Sequence, residues 1–189
     1  MVNIALVGCN GKMGKAVTSA VQSRNDCEIV FGADPFGTPA YDYPVFESLA
    51  VSDKKADVII DFSNPASLDD ILAYALEKKI PCVLCTTGYS PEQVEKIKKA
   101  SESVAVFYSG NMSLGINLLI ELSKEAAKIL SAADFDIEIV EKHHNQKIDA
   151  PSGTALMIAD GISDTLAEEP QYVYDRHSYR KKRSKNEIG

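Results

Sequence analysis

Nothing in this 189-residue sequence approaches the ~20 consecutive apolar residues that a membrane-crossing helix needs. Internal repeats and long low-complexity linkers are absent. The opening residues, Met1-Val2-Asn3-Ile4-Ala5-Leu6-Val7, carry no basic flank and run straight into glycine, unlike a secretory leader. Cysteine is scarce: Cys9, Cys27, Cys82 and Cys85 are too few for a disulfide framework and are expected as reduced thiols in a cytoplasm. Positive charge is in deficit, with 20 basic against 27 acidic side chains and a net charge of −7, which argues against a nucleic-acid or acidic-membrane platform. Collagen-like, disulfide-scaffold, membrane and disordered classes are thereby excluded. What remains, 45% hydrophobic and 25% charged, is the make-up of a soluble globular protein of one large or two small domains.

The one metal-like cysteine spacing, Cys82-Val83-Leu84-Cys85, falls in a short apolar run that reads as a strand. Residues three apart in a strand point to opposite faces, so the two thiols are not expected to share an ion or a disulfide.

The dominant pattern is alternation. Apolar runs at Val2–Val7, Glu28–Ala33, Val58–Asp61, Pro81–Cys85 and Val104–Tyr108 read as buried strands. Between them lie helical segments. Lys12–Ser23 has Met13, Ala16, Val17, Ala20 and Val21 on one face. A second helix, capped by Ser63 or Asn64 with Pro65 at its first position, runs to Lys78. Ser90-Pro91-Glu92-Gln93 is a capping box that opens a third, to Ser101. Gly115–Leu130 is strongly periodic. Uniformly apolar strands separated by helices predict an α/β fold: a Rossmann-like, doubly wound parallel sheet covered on both faces. After Leu130 the pattern changes. Phe135–Val140 alternates like a half-exposed strand, and a helix starts near Ser152 and runs to Leu166. The reading is a dinucleotide-binding domain over residues 1–114 and a second, α+β substrate and oligomerisation domain over 115–189.

Ligands of such sheets bind beyond the carboxyl ends of the strands. The first strand ends in Gly8-Cys9-Asn10-Gly11-Lys12-Met13-Gly14, a GxxGxxG variant of the dinucleotide fingerprint, whose glycines let backbone N–H groups approach a pyrophosphate at a helix start. Asp34 ends the second strand 20 residues after Gly14, where a carboxylate accepts from ribose hydroxyls. Pro35-Phe36-Gly37-Thr38 offers no arginine for a 2′-phosphate, so NADH is favoured over NADPH; Lys12, the nearby cation of the first loop, would reverse this if it reached the phosphate. Asp61-Phe62-Ser63, Thr86-Thr87-Gly88 and Ser109-Gly110-Asn111 switch from apolar to small and polar at the same sheet edge. Capping and turn formation account for part of this; a cleft for an extended cofactor accounts for the rest.

A second constellation is Glu141-Lys142-His143-His144-Asn145-Gln146-Lys147-Ile148-Asp149-Ala150-Pro151-Ser152-Gly153-Thr154. Two of the three histidines are adjacent here, and imidazole transfers protons near neutral pH. Lys147 adds a cation and proton donor. Ser152-Gly153-Thr154 opens a helix whose unpaired N–H groups form an anion site. A metal set of Glu141, His143 and His144 is awkward, because adjacent residues of an extended chain point apart. The residues alone lead to a nicotinamide enzyme acting on a small anionic substrate.

GCNGKMG at Gly8–Gly14, DFSNP at Asp61–Pro65, TTG at Thr86–Gly88, NMSLGIN at Asn111–Asn117 and above all EKHHNQKIDAPSGTA at Glu141–Ala155 resemble the dihydrodipicolinate reductases of bacterial lysine and diaminopimelate biosynthesis. The resemblance implies reduction of a cyclic imine dicarboxylate by hydride from NADH or NADPH, with loss of water. It makes His143 the proton donor and acceptor and Lys147 a proton donor. His144, Ser152, Gly153 and Thr154 would hold the substrate. Gly8, Cys9, Asn10, Gly11, Lys12, Met13, Asp34, Cys85, Thr86, Thr87, Ser109, Gly110, Asn111 and Met112 would line the cofactor. It further implies a homotetramer built through the second domain's sheet. Two departures stand out: Cys85 replaces the usual glycine, and relatives continue for several dozen residues past Gly189, so the second domain is expected to be incomplete.

Two other readings compete. One is another NAD(P)-dependent dehydrogenase of related fold. The other is a non-catalytic dinucleotide sensor or nucleic-acid binder, supported by the basic run Arg176–Lys185 and opposed by the net charge and by the proton-transfer string His143–Lys147.

Overall fold

Strand–helix alternation becomes a six-stranded sheet in which every pairing is parallel. The computed structural model describes residues 1–36, 41–145, 147, 150–178 and 180–189. By contact the chain divides into two units, Met1–Gly110 and Asn111–Gly189.

In the first unit the strands are β1 (Val2–Val7), β2 (Cys27–Ala33), β3 (Val45–Phe46), β4 (Val58–Asp61), β5 (Cys82–Leu84) and β6 (Val106–Tyr108), in the order β3-β2-β1-β4-β5-β6. The order reverses between β1 and β4, which opens a crevice at their carboxyl ends. Helices α1 (Lys12–Gln22), α2 (Leu68–Lys78) and α3 (Pro91–Ser101) cover the two faces. Side chains alternate between these faces as the pleat requires. Ala5, Val7, Phe31 and Ala33 join the core that contains Leu68, Ile71, Leu72 and Ala75 of α2 and Ile97 and Ala100 of α3. Ile4, Leu6 and Ile29 join the core beside Val17 and Val21 of α1.

Local signals behave as chemistry dictates. Ser90 accepts from the Gln93 N–H while the Gln93 side chain accepts from the Ser90 N–H, the reciprocal cap read from the sequence. Asn64 caps the Pro65–Ser67 turn that leads into α2. Ser63 does not cap; its hydroxyl and N–H both donate to Asp61.

Two expectations are corrected, and one further strand is added. Met13, Ala16 and Ala20 do not form the buried face of α1. Its buried residues are Gly14 and Thr18, because only small residues let the helix lie this close to the strand ends. The short edge strand β3 carries no strong apolar signal and went unread; it forms by pairing with Gly32 and Ala33. Phe135–Val140 is not a strand. Among the described residues a single bridge joins Ile137 to Ile188, and the alternation leaves Ile137 and Ile139 half-buried with Phe135 exposed.

The second unit contains α4 (Leu114–Leu130), α5 (Gly153–Ser163) and the two-stranded sheet of β7 (Gln171–Tyr172) and β8 (Glu187–Ile188). Ala127, Ile162 and Ile188 form its small core. Three residues of the basic run pair internally: Arg176 with Glu187, Arg183 with Glu138, and Lys185 with Asp134. Tyr179 of that run lies outside the described residues.

Candidate active site

The glycine loop is built by close approach. Gly8 sits at φ +75°, and a Cβ there would meet the Phe62 carbonyl oxygen at 2.5 Å. A Cβ on Gly14 would meet the Gly8 carbonyl oxygen at 2.3 Å and that of Cys9 at 2.5 Å. These two glycines pack the loop against its own protein. Gly11 differs: its φ is −69°, and a Cβ would meet only the Gly8 carbonyl oxygen at 3.3 Å. It caps α1 without a side-chain cap, so the helix start presents backbone N–H groups, an anion-binding arrangement.

A cavity of about 390 Å³ lies at the switch point and collects the loops after β1, β2 and β4, with Gly8, Gly11, Asp34 and Ser63 on its wall. Asp34 Oδ2 accepts from the Asn10 N–H at 3.0 Å and Oδ1 from the Phe36 N–H at 2.9 Å. A carboxylate has about four lone-pair sites, so hydroxyl donors can still be accepted. Asn10 is anchored in turn by its amide on the Phe36 carbonyl. Gly37 and Thr38 lie outside the described residues.

The remaining cofactor candidates divide by exposure. Lys12 is exposed and Met13 half-exposed at the start of α1. The Cys9 side chain is wholly buried, so only its backbone faces the loop; burial, then the Asp34 charge, pushes its thiol up to about 11. Burial, then Asp61, does the same to Cys85, also to about 11. Neither thiol is a nucleophile near neutrality. Thr86 is buried and Thr87 exposed at the end of β5; Ser109 and Gly110 follow β6. All stand at the carboxyl edge of the sheet, further along it than the cavity, whose wall includes none of the four.

In the second unit, Ser152 caps α5. It is buried, and its hydroxyl accepts from the Ala155 N–H at 3.1 Å. The same hydroxyl donates to Glu141 Oε2 at 2.5 Å, and the Ser152 N–H donates to Glu141 Oε1 at 2.9 Å. These two hydrogen bonds hold the Glu141 carboxyl below the usual carboxylate range, with His143 and Lys147 adding smaller favourable charge effects. His143 Nδ1 stands 3.7 Å from Glu141 Oε2. Glu141, read from the sequence only as a metal alternative, is thus the hub joining the histidine string to the helix start. Its spacing to Ser152 gives no local signal; the chain has to fold back first.

Gly153 and Thr154 are the first residues of α5, whose amides have no partner within the helix. A Cβ on Gly153 would meet nothing within 4 Å. Thr154 Oγ1 accepts from Asn111 Nδ2 at 3.1 Å, which leaves its own proton to donate. Asn111, a cofactor candidate, is therefore fastened to a substrate candidate, and it also receives the Ser113 N–H at the start of α4. Met112 beside it is half-exposed. His144 is exposed, and its carbonyl accepts from the Lys147 N–H at 3.2 Å in a turn. Gln146, Ile148 and Asp149 lie outside the described residues.

Profiles described as the N-terminus and the C-terminus of dihydrodipicolinate reductase match residues 2–112 and 115–189. The chain belongs to the dihydrodipicolinate reductase family. A 4-hydroxy-tetrahydrodipicolinate reductase of Clostridium tetani is 52% identical over all 189 residues and 73% of its own length. One from Caldanaerobacter subterraneus subsp. tengcongensis is 49% identical over the whole chain and 74% of its own length. Among solved structures, a dipicolinate-bound dihydrodipicolinate reductase from Paenisporosarcina sp. TG-14 superposes with a TM-score of 0.73 at 28% identity, covering 93% of this chain and 70% of that one. The sequence resemblance and the doubly wound fold of this reductase family therefore agree. Among the described residues, no helix is long and apolar enough to cross a membrane.

Proposed function

We propose that the protein reduces 4-hydroxy-tetrahydrodipicolinate to tetrahydrodipicolinate with loss of water, in diaminopimelate and lysine biosynthesis. The observation that carries this reading is the pairing of an open Gly11, on a cavity wall at the switch point, with a histidine string tied to a helix start by Glu141.

The cradle fits a dinucleotide: Gly8 and Gly14 leave no room for a Cβ, and Gly11 does. NADH or NADPH, when bound, supplies the hydride. The residues assigned to it are the Gly8–Met13 loop, Asp34, Cys85–Thr87 and Ser109–Met112. NADH is the favoured form. Asp34, Glu47 and Asp70 all line the cavity, and no lysine or arginine does among the described residues, so a 2′-phosphate would meet like charge.

His143 moves the proton, and its Nδ1 stands 3.7 Å from the Glu141 carboxylate. Lys147 donates a proton and pairs with a substrate carboxylate. The Gly153 and Thr154 amides, the Thr154 hydroxyl and His144 hold the other carboxylate, while Ser152 braces the helix start. The protein works as a homotetramer in the reducing cytoplasm, where its free thiols are stable.

NADH oxidation is measured with the cyclic imine, and NAD+ reduction with amino acids and hydroxy acids. Turnover with the imine alone is expected. Equal turnover with a hydroxy acid would assign the site to another dehydrogenase.

A further inference from the structure

Asp61, the last residue of β4, is wholly buried. Ionisable side chains are almost never fully buried unless paired, so its partners indicate its role. Oδ1 accepts from the Ser63 N–H at 2.9 Å and from Ser63 Oγ at 2.5 Å. Oδ2 accepts from the Tyr89 hydroxyl at 3.1 Å. Ser63 belongs to the loop after β4, Tyr89 to the loop after β5. The first loop lies directly under the glycine turn, since the Gly8 Cβ position is blocked by the Phe62 carbonyl and by Ser63 Cα. The second carries Thr86 and Thr87, and its Tyr89 ring lies 5.5 Å from that of Tyr108 at the end of β6.

We propose that Asp61 and Tyr89 are positioning residues that clamp the loops after β4 and β5 to each other and thereby set the affinity for the dinucleotide without touching it. This rests on the reading of this sheet edge as the cofactor site. Three strand ends converge on one carboxylate and one phenol ring. If the clamp is released, Ser63 can shift away from Gly8 and the Thr86–Thr87 segment can move independently of it. Burial, then the Asp61 charge, pushes the Tyr89 hydroxyl up, so it remains a donor across the working pH range.

Tyr89→Phe removes one hydroxyl and keeps the ring against Tyr108. NADH binding is measured by calorimetry, steady-state kinetics with both substrates, and stability by thermal melting. The dissociation constant and the KM for NADH should each rise about tenfold, as for a lost hydrogen bond to a charged group. The KM for the imine and kcat at saturation should stay within about twofold. The near-isosteric Asp61→Asn should raise the same two quantities and no others. Wild-type NADH affinity with a lowered melting temperature would make the pair a structural brace only and overturn the proposal, as would a fall in kcat with an unchanged KM for NADH. Gly11→Val separates this from the parent reading. If that variant loses NADH while Tyr89→Phe binds normally, only the clamp fails; if Gly11→Val binds normally, the cofactor site itself is misassigned.

Discussion

Two glycines of one loop should behave in opposite ways. Gly14→Ala places a Cβ 2.3 Å from a carbonyl oxygen and should destabilise the fold, whereas Gly11→Val meets only one atom, at 3.3 Å, and points its bulk at the cavity. Gly11→Val is therefore expected to fold with an unaltered circular dichroism spectrum and to lose NADH in calorimetry. At the proton-transfer string, His143→Ala should lower kcat by ~10²–10⁴-fold while NADH affinity is kept, since general acid–base catalysis contributes that much. Stopped-flow measurement at saturating substrate checks it. The Glu141–Ser152 contact predicts a pH effect. The folded carboxyl lies below its ordinary 4.5, so its stabilisation is complete above that pH and is lost as the pH falls through the lower folded value. Ser152→Ala should thus destabilise the protein at neutral pH, and the gap to wild type should narrow as the pH falls below 4.5, read from urea midpoints. The Glu141 contact was not legible in the sequence, because it joins two segments of a polar loop with no periodicity to report on either.

Elements with chemical punctuation were the easiest to read. Proline after serine and glutamine three residues on fixed the start of α3 at Pro91, and Asn64-Pro65 fixed the turn into α2. Ser90→Ala should cost about 1 kcal/mol in chemical denaturation, the usual loss of an N-cap. Elements defined only by apolar pattern were less secure. The alternation at Phe135–Val140 is real, yet alternation needs a partner strand before it becomes a sheet, and among the described residues it makes one bridge, to Ile188. The face of α1 was misread for a related reason. Apolar count favoured Met13, Ala16 and Ala20, but close approach to the strand ends favours the smallest side chains, and Gly14 and Thr18 took the inside.

Across the whole molecule, the proposed homotetramer should appear in sedimentation velocity as a single species of four chains. The second unit leaves Leu114, Leu122, Ile129 and Val140 more than half exposed, apolar surface that gains from cover. A monomer at micromolar concentration would remove the proposal. The class of fold followed from the sequence alone, because five apolar runs separated by amphipathic segments have one low-cost arrangement, a parallel sheet covered on both faces. The family followed too, through strings such as EKHHNQKIDAPSGTA that combine many residue choices at fixed spacing. Tertiary structure alone decided which glycine has room for a Cβ, which serine caps and which braces, and that Asp61 is buried beneath two loops. Those outcomes depend on distances between segments far apart in the chain. Periodicity and capping report only on neighbours, so no local pattern could carry them.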